Sequence, residues 1–85
     1  MTNEDRLRLV FNHLDAGEWE KAHTLVDGYP DLPSTHLHAH LHRIEGDEWN
    51  ARYWYQKAGV PFSELSISKE RAKLQKLYLS PLQDQ

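Results

Sequence analysis

Gly46-Asp47-Glu48-Trp49-Asn50-Ala51-Arg52-Tyr53-Trp54-Tyr55-Gln56-Lys57-Ala58 reads as a tight turn followed by a helix. Glycine reaches the backbone angles that a helix-to-helix turn needs, and the Asp47 carboxylate can cap the first free N–H groups beyond it. Ala51, Trp54, Tyr55 and Ala58 then recur at the spacing of one helix face. Trp49 and Tyr53, an i, i+4 pair, fall on nearly the opposite side. A helix apolar on two sides is either sandwiched or presents a patch. Two readings stay open here. A later helix covers Trp49 and Tyr53, or the pair docks another chain with Arg52 or Lys57 at the rim.

The rest of the chain extends this pattern in both directions. Upstream, Leu37, Leu41 and Ile44 mark a helix framed by a Ser34 cap and a Gly46 stop. The alternation in His36-Leu37-His38-Ala39-His40-Leu41-His42 has the period of a strand, but the cap and stop favour a helix. Before it, Trp19, Ala22, Leu25 and Val26 form a stripe that ends at Gly28-Tyr29-Pro30, and a loop runs from Pro30 to Ser34. Leu7, Val10, Phe11 and Leu14 mark a first helix, with Asn3 as N-cap and Asp5 in its first turn. Downstream, Gly59 and Pro61 end the fourth helix. A fifth starts between Ser63 and Ser68, packs through Ala72, Leu74, Leu77 and Tyr78, and stops at Pro81. The expected fold class is all-α: two helix-turn-helix hairpins plus a C-terminal helix. It forms a single domain over 1–80, with 81–85 a frayed tail.

An internal repeat supports the hairpins. Gly17-Glu18-Trp19-Glu20-Lys21-Ala22 and Gly46-Asp47-Glu48-Trp49-Asn50-Ala51 share a Gly, an acidic residue and an Ala in register, at an offset of 29 residues. Here the chain resembles a tetratricopeptide repeat, most specifically over 46–58, where Gly-Asp turns the chain and a small Ala lets two helices approach. Thr35, His38 and Ala39 stand where that family's first helix carries Trp, Leu and Gly. The resemblance implies a two-hairpin, TPR-like domain. A second one, carried by His38-Ala39, His42-Arg43, Glu45, Asp47, Asn50-Ala51 and Tyr53-Trp54, is to a segment of small uncharacterised bacterial and fungal proteins. It implies a shared fold and no particular activity.

Composition narrows the function classes. The chain has 85 residues, no cysteine and a formal net charge of -3. Disulfides and thiolate metal sites are therefore excluded, and a core this small gains from a partner subunit. The MTNEDRLR start has no apolar signal region and no run approaches a membrane span, so a soluble, cytoplasmic protein is expected. Net acidity argues against nucleic acid. Lys69, Arg71, Lys73 and Lys76, set against Glu70 alone, are scattered around their helix, and Tyr78 by itself is no stacking platform. Such a basic helix can pack on an acidic body or reach an acidic partner.

Four of the six histidines fall within 36–42. His38, His42 and Glu45 share one arc of the third helix, and two imidazoles at i, i+4 with a carboxylate at i+7 are suitable donors for a divalent metal. The alternative is that these rings simply hydrogen-bond to neighbours such as Asp47, Asn50 or Tyr53. His36, His40 and Arg43 lie on another face, expected to be solvated and to turn strongly positive near pH 6. An acid–base pair, with His38 or His42 oriented by Glu45 or Asp47, is conceivable by residue type. No phosphate loop or nucleophile elbow accompanies it. No motif requires a cofactor. The leading expectation is a helical interaction module that self-associates or adapts to a protein partner through Trp49 and Tyr53, with His38, His42 and Arg43 at the adjoining edge. The rival is a small metal-binding protein or enzyme centred on His38, His42 and Glu45.

Overall fold

The computed structural model describes residues 1–80, so the expected tail over 81–85, including the Pro81 stop, lies outside the described residues. Five helices follow in order: α1 (Asn3–Asp15), α2 (Trp19–Val26), α3 (Leu32–Ile44), α4 (Glu48–Ala58) and α5 (Ile67–Tyr78). There is no strand among the described residues. Among the described residues no helix is long and apolar enough to cross a membrane.

The repeat shows itself in hydrogen bonds. After α1, Gly17 N–H bonds to Leu14 O at 3.1 Å and Glu18 N–H to His13 O at 2.8 Å. After α3, Gly46 N–H bonds to Arg43 O at 3.0 Å and Asp47 N–H to His42 O at 2.9 Å. These are the same closure of a helix end, with glycine at positive φ (74° at Gly17, 82° at Gly46) where other residues are strained. Ala22 and Ala51, equivalent in the two units, are both fully buried. The N-caps Thr2 and Asp31 keep the same offset of 29. α1 packs on α2 and α3 on α4, while α2 and α5 both lie against α3.

Two caps differ from the sequence expectation. Thr2, rather than Asn3, caps α1: its Oγ1 accepts from Asp5 N–H at 3.0 Å, and the Asp5 carboxylate accepts from Thr2 N–H at 3.3 Å. This reciprocal pair satisfies two free donors, leaving Asn3 as the first helical residue. Asp31, rather than Ser34, caps α3. Its Oδ2 accepts from Ser34 N–H at 3.1 Å and Ser34 Oγ–H at 2.9 Å. Pro33 then lies in the first turn, where its missing N–H costs nothing.

The main core joins α1 (Leu7, Val10, Phe11, Leu14), α2 (Ala22, Val26), α3 (Leu37, Leu41) and α5 (Leu74). A smaller one joins Ala39, Ala51 and Tyr55, flanked by Trp54, Val60 and Phe62. α5 turns differently from expectation. Leu74 is fully buried and Tyr78 half-buried, but Ala72 is exposed and Leu77 is 56% exposed. The inward stripe runs through Glu70, Leu74 and Tyr78, one residue per turn, and Ala72 and Leu77 lie off that line.

The central element is α3. Every residue from Ser34 to His42 is buried, so this helix is enclosed on all sides, four histidines included. A helix enclosed in this way is ordinarily apolar all round. The polar atoms of α3 must therefore find partners on the elements around it.

Candidate functional site

The histidines of α3 divide into two faces, each an i, i+4 pair. His36 and His40 turn toward α5; His38 and His42 turn toward α2 and Trp54. The face expected to be solvated, His36 with His40 and Arg43, is instead covered by α5. His36 Nδ1 and Tyr78 Oη are 2.8 Å apart, and burial lowers the His36 pKa while raising that of Tyr78.

Glu70 is the hub of this face. It is 1% exposed, and three side chains converge on its carboxylate. His40 Nδ1 lies 2.7 Å from Oε1, the Arg43 guanidinium donates to the same oxygen at 2.8 Å, and the Tyr55 hydroxyl donates to Oε2. Burial alone pushes the Glu70 pKa up. The His40 and Tyr55 hydrogen bonds, the His40 charge and the Arg43 bond outweigh it and bring the value down to about 2. With Glu70 ionised, His40 Nδ1 is the donor, and its buried Nε2 has no partner among the described residues. Burial and then the Glu70 carboxylate push the Tyr55 phenol up. Arg43 also donates to Leu65 O at 2.7 Å. The network ties α3, α4 and α5 together, and every member faces inward.

The opposite face carries the candidate site. His23, from α2, meets His38 with the two Nε2 atoms 3.0 Å apart. His42 completes a trio in which one donor nitrogen from each ring lies within 4.8 Å of the others. Glu45 adjoins it: its Oε2 is 2.9 Å from His42 Nδ1. Two tryptophans wall the cluster. Trp19 stacks on His23 with ring centroids 4.9 Å apart and anchors itself by donating Nε1–H to Leu41 O at 2.7 Å. Trp54 stacks on His38 at 3.8 Å. Burial first, then the neighbouring His23 and His42, hold the His38 pKa down at about 4.

Of the residues singled out in the sequence, the structure thus brings His38 and His42 together, their rings stacked with centroids 5.1 Å apart, with Glu45 touching His42. Arg43 belongs to the Glu70 network. Trp49 and Tyr53 stand apart on the outer face of α4, 80% and 48% exposed, and α5 does not cover them. Sequence reasoning missed His23 and Glu70. Glu70 left one trace, as the sole acid in a basic run. His23 left none, because only the docking of α2 on α3 brings it to His38.

A groove of about 470 Å³ beside α5 includes His36, Glu70 and Tyr78, but these polar groups already bond to neighbouring side chains. His23, His38 and His42 do not line it. Comparison with family models, with curated proteins and with solved structures finds no match to this chain. The functional reading therefore rests on the geometry.

Proposed function

We propose that the chain is a cytoplasmic helical interaction module of the two-hairpin, TPR-like kind, and that its partner is a second copy of itself docked through the outer face of α4. The observation that carries this reading is Trp49. An indole left 80% exposed on an ordered helix is a large apolar area in water, and Trp is the residue type most often found to anchor interfaces.

The surrounding charges favour a second copy over a different protein. Glu48, Trp49, Arg52, Tyr53, Gln56 and Lys57 are all exposed and form one stripe. Within a single chain, Arg52 pairs with Glu48 at 2.6 Å and the Lys57 ammonium lies 5.7 Å from the Tyr53 ring centroid. Two such stripes laid antiparallel about a two-fold axis bring Glu48 of one copy to Lys57 of the other. Arg52 then meets the ring of Tyr53, and Trp49 packs between Tyr53 and Gln56. The stripe is self-complementary, as an isologous contact requires. One helix face is smaller than a standard interface, so the dimer is weak and reversible.

Sedimentation equilibrium over a concentration series tests this. A monomer–dimer equilibrium is expected, weakened about 30-fold by Trp49→Ala. Glu48→Lys should weaken it too, and Glu48→Lys combined with Lys57→Glu should restore it. A strict monomer at every concentration contradicts the reading, as does a dimer indifferent to Trp49→Ala.

A further inference from the structure

We propose that His23, His38 and His42 form a three-histidine site for a zinc-type divalent metal, with Glu45 positioning His42 from behind. This proposal is independent of self-association through α4.

The donor geometry comes first. Metal–nitrogen bonds of about 2.0–2.1 Å in a tetrahedral site hold neighbouring donor nitrogens about 3.3 Å apart. The Nε2 atoms of His23 and His38 are already 3.0 Å apart, and the third donor is within 4.8 Å, a separation that small ring rotations close. A direct contact between two imidazole nitrogens requires a proton between them. On metal binding that proton passes to Nδ1 of the same ring, leaving both Nε2 lone pairs free for the ion.

The surroundings agree. A metal-bound histidine ordinarily donates its other N–H to a carboxylate or carbonyl, which fixes the tautomer. Glu45 is so placed against His42 Nδ1, and the free nitrogen of that ring is then Nε2. Trp19 and Trp54 hold the His23 and His38 rings by stacking, so their orientations are fixed before an ion arrives. Three imidazole nitrogens match the preferences of Zn²⁺, Co²⁺ and Ni²⁺ rather than Mg²⁺ or Ca²⁺.

A second group, His42 with Glu45 and Asp47, also lies within metal-binding distance. It is the weaker candidate because Asp47 is already committed. Its oxygens cap α4, accepting from Asn50 N–H at 3.2 Å and Asn50 Nδ2–H at 3.1 Å.

The ligands come from both hairpins, His23 from the first and His38 and His42 from the second. Binding should therefore clamp α2 to α3 and raise the melting temperature. At an excess of 100 times Kd the rise is on the order of 10 °C.

The test uses full-length, tag-free protein stripped with EDTA, titrated with Zn²⁺ by calorimetry and with Co²⁺ by visible absorption. One ion per chain is expected, with a tetrahedral Co²⁺ spectrum and quenching of tryptophan fluorescence by Co²⁺. His23→Gln should weaken Zn²⁺ binding about 100-fold and Glu45→Gln about 10-fold. His13→Gln, remote from the cluster, should leave it unchanged. Glu45 is exposed, so its variant remains informative even if His23→Gln folds poorly. Equal binding by wild type and His23→Gln overturns the proposal. So does loss of binding in Asp47→Asn with His23→Gln intact, and so does the absence of Zn²⁺ binding by the wild type.

Discussion

Glu70 shows how much of this domain depends on single polar side chains. Its carboxylate receives His40, Arg43 and Tyr55, and removing it leaves all three without their shared acceptor. Glu70→Ala is expected to cost about 3–5 kcal/mol, enough to unfold much of a domain this size. Tyr55→Phe loses one charge-assisted bond, and about 1.5–3 kcal/mol is expected. Chemical denaturation of each variant checks both values. Acid should act through the same residues. Glu70 holds its carboxyl near 2 in the folded state against 4.5 unfolded, so its contribution is present above 4.5 and is lost as pH falls toward 2. His36 is also lowered from 6.5, so the unfolded chain takes up that proton first as pH falls below 6.5. Both signs agree: the unfolded state binds more protons, and denaturant midpoints should decline steadily from about pH 6.5 downward. A midpoint constant from pH 7 to 4 contradicts this. Residue types gave access to only part of this scale. The His38–His42 pair is readable as i, i+4 on a helix, but a histidine partner on another helix carries no spacing signal.

At the scale of the elements, the apolar stripes of α1, α2 and α4 are legible because each faces one core at helical spacing. The α3 start was not, because Pro33 reads as loop although a proline suits a first turn. α5 was misread in part for a different reason. Its inward stripe is headed by a glutamate, which a hydrophobic pattern cannot include. Asp31 is the most consequential cap. It closes α3 and also lies 3.3 Å from the buried Arg6 guanidinium, which itself donates to Leu25 O. Asp31→Ala is expected to cost about 2–4 kcal/mol, more than a cap alone, as thermal melts should show. Gly59→Ala isolates backbone conformation instead. Gly59 stands at φ 75° and a Cβ there would touch nothing, so a loss of about 1 kcal/mol is expected from backbone conformation alone.

For the whole molecule, the organising feature is a histidine-bearing helix at the centre rather than at the edge. The sequence suggests the reverse, because four histidines in seven residues look like a solvated face. Burial becomes affordable only when α2 supplies His23 and α5 supplies Glu70 and Tyr78, and those pairings exist only after the helices dock. His36 and His40 are thereby committed to holding the fold, while His38 and His42 meet His23 in the cluster proposed as a metal site. The outer face of α4 stays exposed and is the surface proposed to meet a second copy. All of this presupposes that the α3 histidines are enclosed and paired, and long-range ¹H–¹⁵N spectra of the histidine side chains, recorded from pH 8 to 4.5 on metal-free protein, test that most directly. The account predicts a His40 ring fixed with its proton on Nδ1, and His36 and His38 still neutral well below 6.5. Freely averaging tautomers on these rings, with His36 and His38 titrating near 6.5, would contradict it.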